Sequence, residues 1–184
     1  VDDNLAPVVS GSLTPTTVEG CTVGAAPAAV TTVAALEALT GNLQITDACI
    51  TDANLLVTNA QTSAGTCPIV ITRTYKVTDI CLNTSVDIIH TINVDDTTSP
   101  VLGVPANITI ECNDDTLPAT TGIETVSDNC DATPLTTYSD ITTSSSCPQE
   151  YTITRTWTAT DVCGNSSLGT QLITIDDSTP PILT

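Results

Sequence analysis

Positive charge is scarce in this sequence. Its 184 residues include three Lys and Arg, one His and 21 Asp and Glu, so the formal net charge at pH 7 is −18. Nucleic acids and anionic membranes are bound through clusters of Lys and Arg. Arg73, Lys76 and Arg155 are the whole positive inventory, and they cannot form such a cluster. The composition therefore excludes nucleic acid and anionic membranes as partners.

The sequence also lacks features of membrane proteins and of common enzymes. No apolar run approaches the ~18 residues that a transmembrane helix needs, so we expect no membrane insertion. There is no Gly-x-Ser-x-Gly motif, no phosphate-binding loop and no Cys-x-x-Cys motif. Candidate machinery for acyl or phosphoryl transfer is therefore missing. We predict that the protein is not an enzyme.

An internal repeat organises the chain. The motif Val-Asp-Asp at 1–3 returns at 94–96, and it returns as Ile-Asp-Asp at 175–177. Residues 71–81 match 153–163, with Ile-Thr-Arg-Thr at the start and Asp-x-Cys at the end. The predicted organisation is one domain at 1–93, a second at 94–174, and a linker with the first strand of a third repeat at 175–184. Because the chain has no Met and ends inside a third copy, we expect it to be part of a longer array.

The residue pattern is typical of strands. Residues 151–161 alternate, with Thr at the even positions and Tyr, Ile, Arg, Trp and Ala on the opposite face. This period of two, together with turns rich in Pro, Asp, Asn and Gly, predicts an all-β fold of two tandem immunoglobulin-like β-sandwich domains. The first domain has an Ala-rich insertion at about 27–40. Pro27 before it and Gly41 after it predict a short helix there.

Two arginines and one histidine need an interpretation. Arg73 and Arg155 occupy the same position in the two repeats, on a mainly apolar face beside an aromatic ring. They could bind an anion, but we expect structural arginines whose guanidinium groups meet Glu19 or Glu111. His90 is expected to be a solvent-facing residue without a role.

Three motifs of the second repeat resemble a known family. They are Pro-Ala-Asn-Ile-Thr-Ile-Glu-Cys at 105–112, Ser-Asp-Asn-Cys-Asp at 127–131 and Thr-Asp-Val-Cys-Gly-Asn at 160–165. These motifs resemble hyalin-repeat-like (HYR-like) immunoglobulin-like modules of long tandem arrays on bacterial surface proteins. The resemblance implies an extracellular, cell-surface array of adhesin or fibre type. The first repeat departs from the pattern at three positions, where Ala48, Ile50 and Leu82 stand for Asn129, Asp131 and Gly164.

Eight cysteines, four in each repeat, favour an oxidising compartment. Cys147 and Cys163 cannot pair, because they bracket one extended strand and a disulfide needs Cα atoms within about 7 Å. The immunoglobulin-like topology that the resemblance implies instead brings the first and third cysteines of each repeat together at one pole, and the second and fourth at the other. The predicted disulfides are Cys21 to Cys67, Cys49 to Cys81, Cys112 to Cys147, and Cys130 to Cys163.

The same topology brings three acidic elements to one pole of each domain. Ca²⁺ takes six to eight oxygen ligands and tolerates irregular geometry, whereas Mg²⁺ demands a stricter octahedron. The alternative is that Asp and Asn are there because they form turns on a solvated surface. The predicted calcium ligands are Asp95, Asp96, Asp128, Asn129, Asp131, Asp161 and Asn165 in the second repeat, and Asp2, Asp3, Asp47, Asp52, Asp79 and Asn83 in the first, with Asp176 and Asp177 serving a following domain.

These observations favour a structural role. We expect a disulfide-stapled, calcium-stiffened stalk or filament whose partners are neighbouring repeats of the same or an identical chain. One alternative is an adhesin module that binds a glycan or a host receptor. Another is a fibre subunit that inserts 175–184 into its neighbour as a donor strand.

Overall fold

The computed structural model describes residues 3–144 and 150–180. The chain divides into two compact units, Val1–Asp96 and Thr97–Thr184. Strands make up 47% of the chain and helices 9%, which confirms the predicted all-β class with two sandwich-like domains.

The first unit contains two sheets. Its strands are β1 (Val8–Ser10), β2 (Thr16–Glu19), β3 (Gln44–Thr46), β4 (Leu56–Ala64), β5 (Ile69–Thr78) and β6 (Ile88–Asp95). Strands β1 and β3 form a small antiparallel sheet, and the larger sheet has the order β2-β6-β5-β4. Within the larger sheet β2 runs parallel to β6, while the other pairs are antiparallel.

The second unit repeats this plan. Its strands are β7 (Val101–Gly103), β8 (Ile108–Glu111), β9 (Thr125–Ser127), β10 (Leu135–Ser144), β11 (Tyr151–Thr160) and β12 (Ser166–Asp176). Strand β7 pairs with β9, and the larger sheet has the order β10-β11-β12-β8 with β8 parallel to β12. The two units therefore share one topology, as their repeated sequences lead one to expect.

Helices are short in both units. The insertion at 27–40 contains α1 (Val33–Glu37), which begins where the Thr32 hydroxyl accepts a hydrogen bond from the Ala35 amide. The helix buries Val33 and Leu36 against the core of the first unit. The second unit has α2 (Pro118–Thr121), a single turn that the sequence pattern did not predict. Two 3₁₀ turns, Val23–Ala25 and Asp52–Asn54, complete the first unit's helical segments within the described residues.

Burial alternates along the central strands as the period of two predicts. Strand β11 buries Ile153, Arg155, Trp157 and Ala159, while its Thr side chains face outward and are only partly buried. Successive side chains in a strand point to opposite faces. The apolar face of β11 therefore packs in the core, and its Thr face lies on the outside of the sheet. The same alternation holds for β5.

The buried arginines have other partners than we predicted. Arg155 pairs with Asp140 rather than Glu111, with Nε to Oδ1 and Nη2 to Oδ2 both at 2.8 Å. Arg73 meets the neutral side chain of Gln61 rather than Glu19. The reason is register, because Asp140 and Gln61 lie directly opposite the arginines on the neighbouring strand.

The prediction for His90 was wrong. This residue lies in β6 with its side chain on the core face, and only 5% of its surface is exposed. Its Nε2 lies 2.6 Å from the Thr16 hydroxyl.

Candidate metal centre

Three carboxylates of the first unit meet at one place. One oxygen each of Asp3, Asp47 and Asp79 lies within 4.8 Å of the other two. Asp3 precedes β1, Asp47 directly follows β3, and Asp79 directly follows β5. Asp79 is buried and the other two are half-buried. We call these three residues the first-unit cluster.

Asn83 holds the first-unit cluster in place. Its backbone amide donates to Asp79 Oδ1 at 2.9 Å, and its Nδ2 donates to Asp79 Oδ2 at 2.7 Å. The same Nδ2 donates to the main-chain oxygen of Asp3 at 3.1 Å. The side chain of Asn83 therefore ties the segment before β1 to the loop after β5.

Asp47 is oriented by its own turn. Its Oδ1 accepts hydrogen bonds from the amides of Cys49 and Ile50 at 2.9 and 3.0 Å. These bonds leave Asp47 Oδ2 buried without a hydrogen-bond partner, and Asp3 Oδ2 is in the same state. A buried carboxylate oxygen without a partner is costly, and adjacent negative charges add repulsion.

A cation would remove both costs. Three carboxylates can supply up to six oxygens, and the two buried oxygens without partners are free to coordinate. Hard oxygen donors in an irregular arrangement match the preference of Ca²⁺, whereas Mg²⁺ needs near-ideal octahedral geometry. The donor set of the first-unit cluster thus fits a calcium ion.

The second unit repeats much of this arrangement. One oxygen of Asp128 lies within 4.8 Å of one oxygen of Asp161. Asp128 Oδ1 accepts from the amides of Cys130 and Asp131, and Asp128 Oδ2 is buried without a hydrogen-bond partner. Asn165 donates to both oxygens of Asp161 at 2.8 Å, as Asn83 does to Asp79. Asp128 and Asp161 are thus the counterparts of Asp47 and Asp79.

Asp131 links two loops of the second unit by accepting hydrogen bonds from backbone amides. Its Oδ1 accepts from the Thr133 amide and its Oδ2 from the Val162 amide, both at 2.9 Å. Both oxygens are therefore engaged in linking the loop after β9 to the loop after β11. The first repeat has Ile50 at this position and so lacks this link, and the role of Asp131 as a calcium ligand stays a prediction.

The other predicted ligands are exposed, end the first unit, belong to a following domain or lie outside the described residues. Asp52 is exposed in the 3₁₀ turn Asp52–Asn54, and Asn129 is exposed in the loop after β9. Asp95 and Asp96 end the first unit, so their place with Asp128 and Asp161 stays a prediction, as does that of Asp176 and Asp177 in a following domain. Asp2 lies outside the described residues.

Hydrogen bonds set the protonation of the central carboxylates. Burial alone raises the pKa of Asp79, but hydrogen bonds from the Asn83 side chain and amide and from the amides of Cys81 and Leu82 outweigh it, so the pKa is lowered. The pKa of Asp161 is lowered by the equivalent donors against the same opposing effect of burial. Both groups are therefore ionised and ready to bind a cation at neutral pH.

The role of Asn83 can be tested by titration. We expect Asn83→Ala to raise the pKa of Asp79, because the variant removes a side-chain donor to the ionised carboxylate. A lowered folded-state pKa stabilises the fold above the unfolded value of about 3.9, and this stabilisation is lost as the pH falls through the folded-state pKa. Carboxyl ¹³C NMR of the metal-free chain should therefore show Asp79 titrating at higher pH. Asn113→Ala, in an exposed loop, is the matched control, and an unchanged Asp79 titration in Asn83→Ala would contradict this assignment.

Each unit contains a disulfide. Cys21 and Cys67 are disulfide-bonded in the first unit, and Cys130 and Cys163 are disulfide-bonded in the second. Cys49, Cys81 and Cys112 carry free thiols in the structure, and Cys147 lies outside the described residues. The predicted pairs 49/81 and 112/147 therefore stay predictions.

Cys49 lies beside the first-unit cluster. The negative charge of Asp3 raises the pKa of the Cys49 thiol, and burial and a hydrogen bond to Asp3 act in the same direction. The charge of Cys81 raises the pKa further, so the two thiols lie near each other. The sequence indicated this proximity, since a cysteine follows both Asp47 and Asp79 by two residues and the pair Cys49 to Cys81 was predicted at the same pole.

Residues 100–175 match the family model of the HYR-like domain with four cysteines. The match contains all four cysteines of the second repeat and confirms the resemblance that its motifs carry. HYR-like domains are extracellular repeat modules. None of the curated proteins matches the chain.

The first unit shares the strand order and the four cysteine positions of the HYR-like domain in the second. The disulfides differ, because Cys21 and Cys67 are the counterparts of Cys112 and Cys147, whereas the second unit's bond joins Cys130 and Cys163. The first unit also differs from that domain by the insertion with α1 and by the loss of the Asp131 link. In the part of the chain that the structure describes, no helix has the length and apolar content to cross a membrane.

Proposed function

We propose that this chain is a structural segment of an extracellular, repetitive cell-surface protein that forms a stalk or filament. The observation that supports this proposal most directly is repetition itself. Both units have one topology, four cysteines in the same order, and two carboxylates at equivalent positions. In each unit an Asn holds one of these carboxylates and amides of its own turn hold the other. A module that is copied with its cysteines and its paired carboxylates suits a load-bearing array, in which length is set by the number of copies.

Calcium would bind the acidic clusters of the two units. In the first unit, Asp3, Asp47 and Asp79 would hold the ion, with Asn83 as the positioning residue. The bound ion would tie the segment before β1 to the loops after β3 and β5, because each of these elements contributes one carboxylate. In the second unit, Asp128 and Asp161 would do the same together with Asp96. Catalysis has no part in this proposal.

The disulfides would resist extension. Cys21 precedes the insertion and Cys67 precedes β5. Because a disulfide joins them, a force that pulls on the two ends of the chain does not extend the residues between them. Cys130 and Cys163 close off β10 and β11 in the same way. Strands outside these loops can peel away under load, but the enclosed strands cannot be drawn out while the bonds persist.

Force spectroscopy tests the mechanical role. Pulling the chain from its two ends should give two unfolding steps, one for each unit. Reduction should lengthen both steps, by roughly 150 Å for the segment from Cys21 to Cys67 and roughly 110 Å for that from Cys130 to Cys163, at ~3.5 Å per residue. Replacing Cys21 and Cys67 by Ser should lengthen the first unit's step only, so the second unit is an internal control. Equal steps in the oxidised and reduced chain would exclude load-bearing disulfides.

The donor-strand alternative concerns the end of the chain. Ile175 is buried in the core of the second unit, and β12 continues to Asp176. Residues 181–184 lie outside those that the structure describes.

A further inference from the structure

A cavity whose lining is mainly apolar, with a few polar groups, lies in the first unit. Its volume is 210 Å³, and it lies between the core face of the larger sheet and the insertion that carries α1. Its polar lining includes Thr16 of β2, Arg73 and Tyr75 of β5, and His90 of β6. At ~30 Å³ per water, the space accommodates roughly seven waters or one small molecule.

Arg73 brings an uncompensated charge to this cavity. The residue is 5% exposed. Its Nε and Nη2 donate to Gln61 Oε1 at 3.1 and 2.8 Å, and Nη2 also donates to the main-chain oxygen of Pro27 at 2.9 Å. Among residues 3–144 and 150–180, no carboxylate forms an ion pair with Arg73, and its Nη1 has no hydrogen bond. A buried guanidinium without a counter-ion is costly, so an anion would be favoured here.

The second unit shows the same position with its charge neutralised. Arg155, the counterpart of Arg73, forms a bidentate ion pair with Asp140, and its Nη1 donates to Thr121 Oγ1. Cross-strand register makes Gln61 the counterpart of Asp140, because each lies directly opposite its arginine. The first unit has therefore kept the buried cation while replacing the internal carboxylate with a neutral amide.

The residue that lies opposite the arginine on its other neighbouring strand also differs between the units. In the second unit Gln171 lies opposite Arg155. Its Nε2 donates to the main-chain oxygens of Ala106 and Thr121, so this side chain has hydrogen-bond partners within the unit. His90 lies opposite Arg73 instead. His90 is buried, its Nε2 contacts the Thr16 hydroxyl, and its Nδ1 has no hydrogen-bond partner.

His90 can therefore serve as a second donor. Burial lowers the pKa of His90, and the charge of Arg73 lowers it further, so the ring is neutral at pH 7. If the Thr16 hydroxyl donates to Nε2, the proton of the neutral ring is on Nδ1, and Nδ1–H is available to an acceptor. The cavity is thus lined by one fixed positive charge and by the neutral ring of His90.

We propose that this cavity of the first unit is a binding site for a small monocarboxylate. A carboxylate matches the guanidinium in shape and charge, as the Asp140 side chain does in the second unit. One negative charge neutralises Arg73, whereas a dianion would add an uncompensated charge to a chain whose net charge is already −18. The site is distinct from the first-unit cluster and does not depend on calcium.

The single histidine of the chain makes this proposal directly testable. Acetate is titrated into the oxidised chain at constant ionic strength, and the ring signals of His90 are followed by NMR. Acetamide, a neutral molecule of similar shape, and sulfate, a dianion, are titrated in parallel. We expect saturable shifts with acetate and none with the other two. Shifts that match those produced by sodium chloride, or equal shifts with acetamide, would overturn the proposal.

A variant tests the role of the missing carboxylate. Gln61→Asp gives the first unit the internal counter-ion of the second, so we expect at least a tenfold weaker affinity for acetate in a chain that remains folded. Gln61→Asn is the matched control, because it shortens the side chain equally without adding charge, and it should still bind acetate. Circular dichroism checks the fold of both variants. Acetate binding by Gln61→Asp with unchanged affinity would refute the assignment of Arg73 as the anion site.

Discussion

Chelating calcium is expected to lower the thermal stability of the oxidised chain markedly. An ion that binds only the folded state stabilises it by mass action, by about 2.7 kcal/mol when its free concentration is 100 times the dissociation constant. For a domain of this size, such a change corresponds to a fall in the melting temperature of roughly 10–20 °C. Differential scanning calorimetry with millimolar Ca²⁺ and with excess chelator measures it.

Variants separate a bound ion from a general effect of charge. Asp47→Asn and Asp79→Asn each remove a ligand of the first-unit cluster, so in these variants the melting temperature of the first unit should no longer respond to chelator. Asp52→Asn removes the same charge at an exposed site outside the cluster, and it should respond as the parent chain does. Superimposable melting curves of the parent chain with and without Ca²⁺ would remove calcium from the proposed function and leave only the disulfides as staples.

Loss of the disulfide in the first unit is expected to have the largest effect on stability. Replacing Cys21 and Cys67 by Ser reopens a loop of over 40 residues in the unfolded chain, which corresponds to roughly 4 kcal/mol in the chain-entropy model. The unit has little aromatic packing to offset this loss, since aromatic residues make up 2% of the sequence. Urea unfolding, followed by tyrosine and tryptophan fluorescence, measures the change.

The second unit supplies the reference for this measurement. It contains the only Trp of the chain, Trp157, whereas the first unit contains Tyr75. The tryptophan transition should therefore keep its midpoint in the Ser variant, while the transition of the first unit shifts to lower urea. If both transitions keep their midpoints, the bond between Cys21 and Cys67 contributes nothing to stability. If both shift equally, the two units do not unfold independently.

Much of the fold followed from local patterns in the sequence. The alternation in 151–161 predicted which face of β11 is buried, because side chains in a strand alternate whatever the partner strand is. The helix in the insertion was predicted from its Ala content and its flanking Pro and Gly. The turn α2 was not, since four residues are too few to show a helical period.

The candidate metal centre was predicted only in part. Asp3, Asp47 and Asp79 were among the predicted ligands because each belongs to an acidic turn that the repeat preserves. Sequence could not tell that Asn83 orients Asp79 through its own amide and side-chain nitrogen. Nor could it tell that one oxygen of Asp131 accepts from an amide of its own turn and the other from an amide of the loop after β11. Hydrogen-bond geometry distinguishes these roles, and Asp and Asn residues look alike in a turn sequence.

By itself, the sequence determined the two repeats and the all-β class, because these depend on residue order and composition. Only the tertiary structure decided that His90 is buried and that Gln61, rather than a carboxylate, faces Arg73. Such pairings join residues on separate strands, 74 positions apart for Thr16 and His90. They are set by cross-strand register, which arises from the packing of the whole sheet and leaves no local period in the chain.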